Sequence, residues 1–268
     1  MIVRIGHGAM VPAVLVVAVL ALAAAPAAAQ KQPAENSAEK SANTPRARYQ
    51  ACMERAKRFP KDAFEDAIQW RDLGGGGAAE HCAATALVTL GLYKDAGARL
   101  ESLAQRIHEE PAFKADILGQ ATQAWLLAEM PARAEATATA ALKLKPGAVE
   151  LLIDRAQARA QMADYKAALA DLDIVIAKDP NQADAFAFRA AAKRYLDDRK
   201  GAAADVERAL ALDVNHAPAL LERGNLRRLA GDDAGARNDW LMVLSVAPEG
   251  VAADAARANL ERMDVKVR

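Results

Sequence analysis

Residues 183–216 read ADAFAFRAAAKRYLDDRKGAAADVERALALDVNH, and residues 217–250 read APALLERGNLRRLAGDDAGARNDWLMVLSVAPEG. Each stretch holds two apolar-periodic segments separated by a short polar turn, and the second repeats the pattern of the first at a period of 34 residues. Asp179-Pro180-Asn181 and Asp213-Val214-Asn215 stand before the two patterns. Pro146, Pro180 and Pro248 fall at multiples of the same period. Extending the period towards the amino terminus gives five units: 77–110, 115–148, 149–182, 183–216 and 217–250, with four extra residues, 111–114, between the first two.

Equivalent positions explain the repeat physically. The twentieth position is Ala96, Ala134, Ala168, Ala202 and Ala236. The eighth is Ala84, Thr122, Ala156, Ala190 and Gly224. Small residues at both places let two antiparallel helices cross closely. Larger residues at position four (Leu118, Leu152, Phe186, Leu220) and position twenty-four (Leu100, Leu172, Val206, Trp240) fill the space beside the crossing. Each unit therefore reads as helix, tight turn, helix. Composition agrees: 68 of the 268 residues are alanine and only 4% are aromatic, which favours helix over strand.

These spaced sets, with turn segments such as Ala163-Asp164-Tyr165 and Ala230-Gly231-Asp232-Asp233, resemble the tetratricopeptide-repeat family. The resemblance covers about residues 77–268 and departs from the family pattern in the first two units, where Glu80 stands at position four and Pro131 enters a turn. It implies an all-α, right-handed α-solenoid. Residues 44–76 then form an amino-terminal helical pair, either a cap or a degenerate sixth unit, ending in the glycine run 74–77. Residues 251–268 supply a capping helix and tail, as a solenoid end requires.

The amino terminus carries a different message. Arg4 is the one charge before an apolar run, 11–25, and Ala27-Ala28-Ala29 follows Pro26. A basic start, a short apolar stretch and a small-x-small end form a cleavable export signal, expected to be cut after Ala29. Residues 1–29 are thus a signal peptide and 30–43 a polar, flexible leader. The exported chain is expected in the periplasm or outside the cell, without stable membrane insertion.

Export makes the two cysteines informative, because oxidising compartments favour disulfides. In a solenoid of this kind successive first helices are neighbours. Cys52 lies in the first helix of the amino-terminal pair and Cys82 in the first helix of the next unit, so a Cys52–Cys82 disulfide is expected. The alternative is two separate buried thiols.

A charge pattern recurs as well. Position seven is Arg155, Arg189 and Arg223 in the last three units, and position twenty-three is Asp171, Asp205 and Asp239. The two positions face each other in an antiparallel hairpin, which gives a structural Arg–Asp pair in each unit, with an arginine ladder for an acidic partner as the alternative. The resemblance also implies an inner groove lined by first-helix residues, here Gln123, Gln157, Arg194, Tyr195, Asn225 and Arg228. Arg194 and Arg228 recur at position twelve without an obvious acid and are the expected peptide anchors. A solvated polar surface with no dedicated ligand is the competing reading.

Chemistry of other kinds has little support. With 35 basic and 35 acidic residues the formal charge is +0, so the footprint of a nucleic-acid binder is missing. No phosphate-binding loop, nucleophile elbow or HExxH motif occurs. His81, His108 and His216 fall at three unrelated repeat positions, and glycines 74–77 lack the lysine and hydroxyl of a phosphate loop. The sequence therefore predicts no enzyme and no metal or other cofactor. It predicts a protein–protein interaction module or scaffold of the periplasm or cell envelope that holds a peptide or domain in a concave groove. The alternative is a structural subunit whose groove is filled by another subunit of a fixed or self-associating complex.

Overall fold

The computed structural model describes residues 44–265, and the signal and leader segments lie outside them. Thirteen α-helices follow one another, with no strand among the described residues. They are α1 (Pro45–Arg58), α2 (Pro60–Trp70), α3 (Gly76–Thr89), α4 (Tyr93–Arg106), α5 (Pro111–Leu127), α6 (Pro131–Leu144) and α7 (Val149–Gln161). The series continues through α8 (Tyr165–Lys178), α9 (Ala183–Tyr195), α10 (Arg199–Leu212), α11 (Ala217–Leu229), α12 (Asp233–Val246) and α13 (Val251–Val265). Each helix packs on its chain neighbours. First helices also pack on first helices: α1 on α3, α5 on α7, α7 on α9, α9 on α11 and α11 on α13.

Local chemistry sets the helix starts. The Thr44 hydroxyl accepts from the Ala47 amide, ahead of Pro45 in the first turn. Asp164, Asp198 and Asp232, one repeat apart, each accept a backbone amide three residues on, from Ala167, Gly201 and Gly235. A carboxylate there satisfies an orphan donor and meets the positive end of the helix.

The turn inside each hairpin uses one conformation. The fifteenth residue is left-handed in all five units: Gly91, Glu129, Ala163, Asp197 and Gly231, with φ between 54° and 85°. Three of the five carry a side chain in a region that glycine occupies without strain.

The close crossing occurs where the small residues stand. The five position-twenty alanines are all 0% exposed. At position eight the residue shrinks where its partner grows. A Cβ added to Gly224 would lie 2.5 Å from Nε1 of Trp240, the bulkiest of the position-twenty-four residues. The core is consequently a chain of small clusters, each shared by adjacent helices. That arrangement is expected of a quasi-one-dimensional array.

Two segments differ from the sequence expectation. Residues 111–114, the extra four between the first two units, form the opening turn of α5, with Pro111 in its first turn. At the glycine run the helical path continues through a π-turn, Arg71–Gly75, and bends at Leu73 and Gly74, where φ reaches 91°. Gly75 packs against the Trp70 indole so closely that a Cβ would lie 2.6 Å from the ring. Ala63 and Ala67, the two alternatives for the close-contact alanine in the amino-terminal pair, are both fully buried.

Candidate functional site

Cys52 on α1 and Cys82 on α3 are joined in a disulfide with a Cα separation of 6.1 Å. Cys82 is fully buried and packs with Ala56, Ala63 and Ala67. Beside this link the Tyr49 hydroxyl meets Nδ1 of His81 at 2.6 Å, and Nε2 of His81 meets Oε1 of Gln120 at 2.7 Å. A polar chain thus crosses three successive first helices, and both nitrogens of His81 are engaged in it. Among the described residues no group of histidine, cysteine and carboxylate side chains is arranged to hold a metal ion.

The Arg–Asp series sits inside the hairpins. Arg155 donates Nε and Nη2 to Asp171 at 2.9 and 2.6 Å, and Arg189 makes the same two-pronged contact with Asp205 at 2.9 and 2.7 Å. Arg223 grips Asp239 similarly, at 2.7 Å from Nη2. The three carboxylates are buried, so the bidentate fork offsets a desolvation that a single point charge would offset less well. The bonds to Asp171 and Asp205 raise the pKa of Arg155 and Arg189 above that of a free guanidinium.

Sequence reasoning missed a second cation on each of these carboxylates. Arg159, Lys193 and Arg227 stand at position eleven, one helical turn beyond position seven, and pair with Asp171, Asp205 and Asp239 at 2.7–2.8 Å. The signal was present as a third basic residue recurring every 34 positions. In the first unit the polarity is reversed. Glu80 on α3 accepts from Arg99 on α4 at 3.0 Å, with Arg71 and Arg106 each at 3.7 Å.

The expected groove residues do not form one anchor set. Arg194 is not free: its guanidinium pairs with the buried Glu222 of α11 and lies 4.2 Å from the Tyr195 ring centroid. Arg228 turns to Asp233 on its own hairpin, at 2.5 Å. Two arginines at equivalent positions therefore point to different partners, and neither is the unpaired anchor that the sequence suggested. The sequence expectation failed because Arg194 finds its acid in the next unit, at position six of α11, where a comparison within one hairpin does not look. Asn225 is also engaged, donating to Glu222 at 3.1 Å and accepting from Asn259 of α13 at 2.9 Å. Truncating Arg194 would leave the buried Glu222 without its counter-charge, held only by Asn225, a loss of up to roughly 3–5 kcal/mol.

Asp116, Glu150 and Asp184 are exposed on the first helices, but position thirteen, at the end of each first helix, carries no charge. Leu127, Tyr195 and Leu229 occupy position thirteen in three units and are 46%, 58% and 47% exposed. Tyr195 is held as a flat platform by parallel stacking on Tyr165, with ring centroids 4.5 Å apart. Gln123 is exposed and Gln157 half-buried. Between them lies Asp154, 8% exposed, with one carboxylate oxygen that has no hydrogen-bond partner. Burial pushes its pKa up to about 7; a Gln123 hydrogen bond pulls it down and the Glu150 charge adds to the rise.

No family model and no curated protein matches the chain. Solved structures do. A tetratricopeptide repeat protein from Parabacteroides merdae superposes with a TM-score of 0.63 at 14% identity, over 83% of this chain and 88% of that one. The fold is that of a tetratricopeptide-repeat (TPR) array. YrrB, described as a TPR protein with an unusual peptide-binding site, matches at a TM-score of 0.55 and 19% identity, over 69% of this chain and 95% of its own. The thermophilic TPR protein TTC0263 of Thermus thermophilus matches at 0.55 and 17%, over 67% and 98%. At such identities the likeness speaks to TPR architecture alone. No described helix is long and apolar enough to cross a membrane.

Proposed function

We propose that this TPR array is a non-catalytic scaffold of the periplasm or cell envelope that holds a protein partner, as a peptide or a domain, against a concave face built by its first helices. The observation that carries the reading is the recurrence of Leu127, Tyr195 and Leu229 at one repeat position, each about half exposed. Repeated apolar side chains on rigid helices, flanked by the amides of Gln123 and Gln157, suit an extended segment that contributes its own side chains and backbone groups. The peptide-binding site of the fold relative YrrB supports a similar use here. The Cys52–Cys82 disulfide supports an oxidising location, as does the export signal expected at residues 1–29.

A photo-crosslinking amino acid at Leu127 or Leu229 tests the reading, with Ile174 as control, since Ile174 is equally exposed on a second helix. In cells exporting the protein, the two first-helix positions should trap a common partner and Ile174 should not. Trapping from Ile174 alone would move recognition to the other side of the array.

A further inference from the structure

The crevice between α10 and α11 has about 420 Å³ of space and is lined by Ala203, Val206 and Glu207 of α10 and by Arg223, Leu226 and Arg227 of α11, with Arg199 and Ala230 at its ends. At the equivalent joints, between α6 and α7 and between α8 and α9, the guanidinium groups are satisfied across the gap. Nη1 of Arg155 donates to Thr139 and Nη2 of Arg159 to Glu135, both on α6. Nη1 of Arg189 donates to Asp173 on α8, at 2.7 Å.

In the last crevice the cross-gap partners are missing among the described residues. Arg223 uses Nε and Nη2 on Asp239, and Arg227 uses Nη1 on Asp239 and Gly235, with its Nε 4.0 Å from Asp232. Nη1 of Arg223 and Nη2 of Arg227 donate to no protein group among the described residues, and the two side chains are 37% and 38% exposed. These are the nitrogens that face the preceding second helix in the earlier units. The position equivalent to Glu135 is Ala203, which cannot accept. Glu207 occupies the place of Thr139 and Asp173 yet makes no ion pair. Arg199 is turned to Asp197 at 3.1 Å.

We propose that this crevice is a docking site for an acidic side chain of a partner protein, whose carboxylate takes the free N–H groups of Arg223 and Arg227. Two guanidinium groups share the one buried carboxylate of Asp239 and keep unused donors, with the exposed Asp232 at 4.0 Å from Arg227 and Glu207 unpaired beside them. The geometry is preorganised, because the same bonds that tie both arginines to Asp239 fix their outer edges, so little side-chain freedom is lost on binding. The floor fits an apolar residue next to the acid, since Val206, Leu226 and Ala203 supply it, with Glu207 the one carboxylate among the lining residues. The inference rests on the scaffold reading but names a different surface from the first-helix face, so the two can fail separately.

The test titrates the full mature protein with a labelled, terminally blocked peptide of alternating leucine and glutamate, and with its leucine–glutamine counterpart. The glutamate peptide should bind at least about tenfold more tightly, as charge-assisted hydrogen bonds imply. Arg227→Gln keeps the Arg223–Asp239 pair, so it should still fold, at a lower melting temperature, while reducing the preference several-fold. Glu207→Gln removes a competing carboxylate and should tighten glutamate-peptide binding a few-fold. Equal binding of the two peptides, absence of binding, or an unchanged preference in folded Arg227→Gln would each overturn the proposal. So would displacement of the peptide by inorganic phosphate at the same concentration, which would mark a general anion site. If trapping from Leu127 and Leu229 persists while these arms fail, the crevice is refuted and the scaffold reading stands.

Discussion

Replacing Asp154 with asparagine should remove a pH-dependent weakness from the middle of the array. The carboxyl has a pKa of about 7 in the folded protein against an ordinary 3.8, chiefly because it is buried. A folded pKa above the unfolded one means that the neutral form is favoured in the fold. Stability from this group is therefore complete below about pH 4 and is lost as pH rises through 7. At about 1.4 kcal/mol for each tenfold change in proton affinity, the rise from 3.8 to about 7 amounts to about 4 kcal/mol. For a protein of this size that corresponds to about 8–16 °C in Tm, an upper value because neighbouring units unfold with partial independence. The Glu150 charge on the same helix adds to the effect, and the hydrogen bond from the neutral amide of Gln123 on α5 opposes it. Thermal melts of parent and Asp154→Asn from pH 4.5 to 8 provide the assay. The parent should lose stability over this range and the variant should lose much less, gaining most over the parent at pH 8. Parallel curves would refute the reasoning, because the slope would then come from groups elsewhere.

Three further outcomes follow from the packing and the turns. Ala168→Leu and Ala202→Leu should each lower stability by roughly 1–3 kcal/mol, since both alanines are fully buried at a helix crossing; an unchanged melt for both would disprove the close-contact role. Ala163→Gly should stabilise by a few tenths to about 1 kcal/mol, because it relieves a φ of 61°; urea titration reads this, and a loss would show that the unfolded-chain entropy of glycine dominates. Reducing the Cys52–Cys82 bond should cost about 3–4 kcal/mol in the chain-entropy picture for a loop of 30 residues. The loss should fall on α1 and α2, seen as faster amide exchange there than in α9 to α12; uniform acceleration would argue against a local tether.

The features visible in the sequence were those repeated inside one hairpin. Alanine at position twenty has a single physical reason, the close helix crossing, and it recurs without exception. The position-seven arginines and position-twenty-three aspartates likewise lie within one unit, so a matched pair could be read directly. Contacts between units were harder. Arg194 meets Glu222 in the next unit, and nothing in the period marks that acid as its partner. The left-handed residue at position fifteen was hidden for another reason. Glycine signals such a turn at Gly91 and Gly231, whereas Glu129, Ala163 and Asp197 adopt it without the compositional cue. Asp154 gave no cue either, because its environment depends on burial between α5 and its own helix.

The reversed polarity of the first hairpin bears on how such an array can be rebuilt. Pairing α3 with α8 would set Glu80 against Asp171, and pairing α7 with α4 would set Arg155 against Arg99. Like charges would then meet in a buried cleft that in the present protein holds a matched pair. The two helices of a hairpin therefore have to be exchanged as one block. Recombination or repeat grafting in this molecule is penalised at the turn within a unit by this clash, and at the joint between the last two units by loss of the Arg194–Glu222 pair. An averaged consensus drawn from all five units would mix two incompatible charge conventions, and a designer extending this array should copy α9–α10 whole.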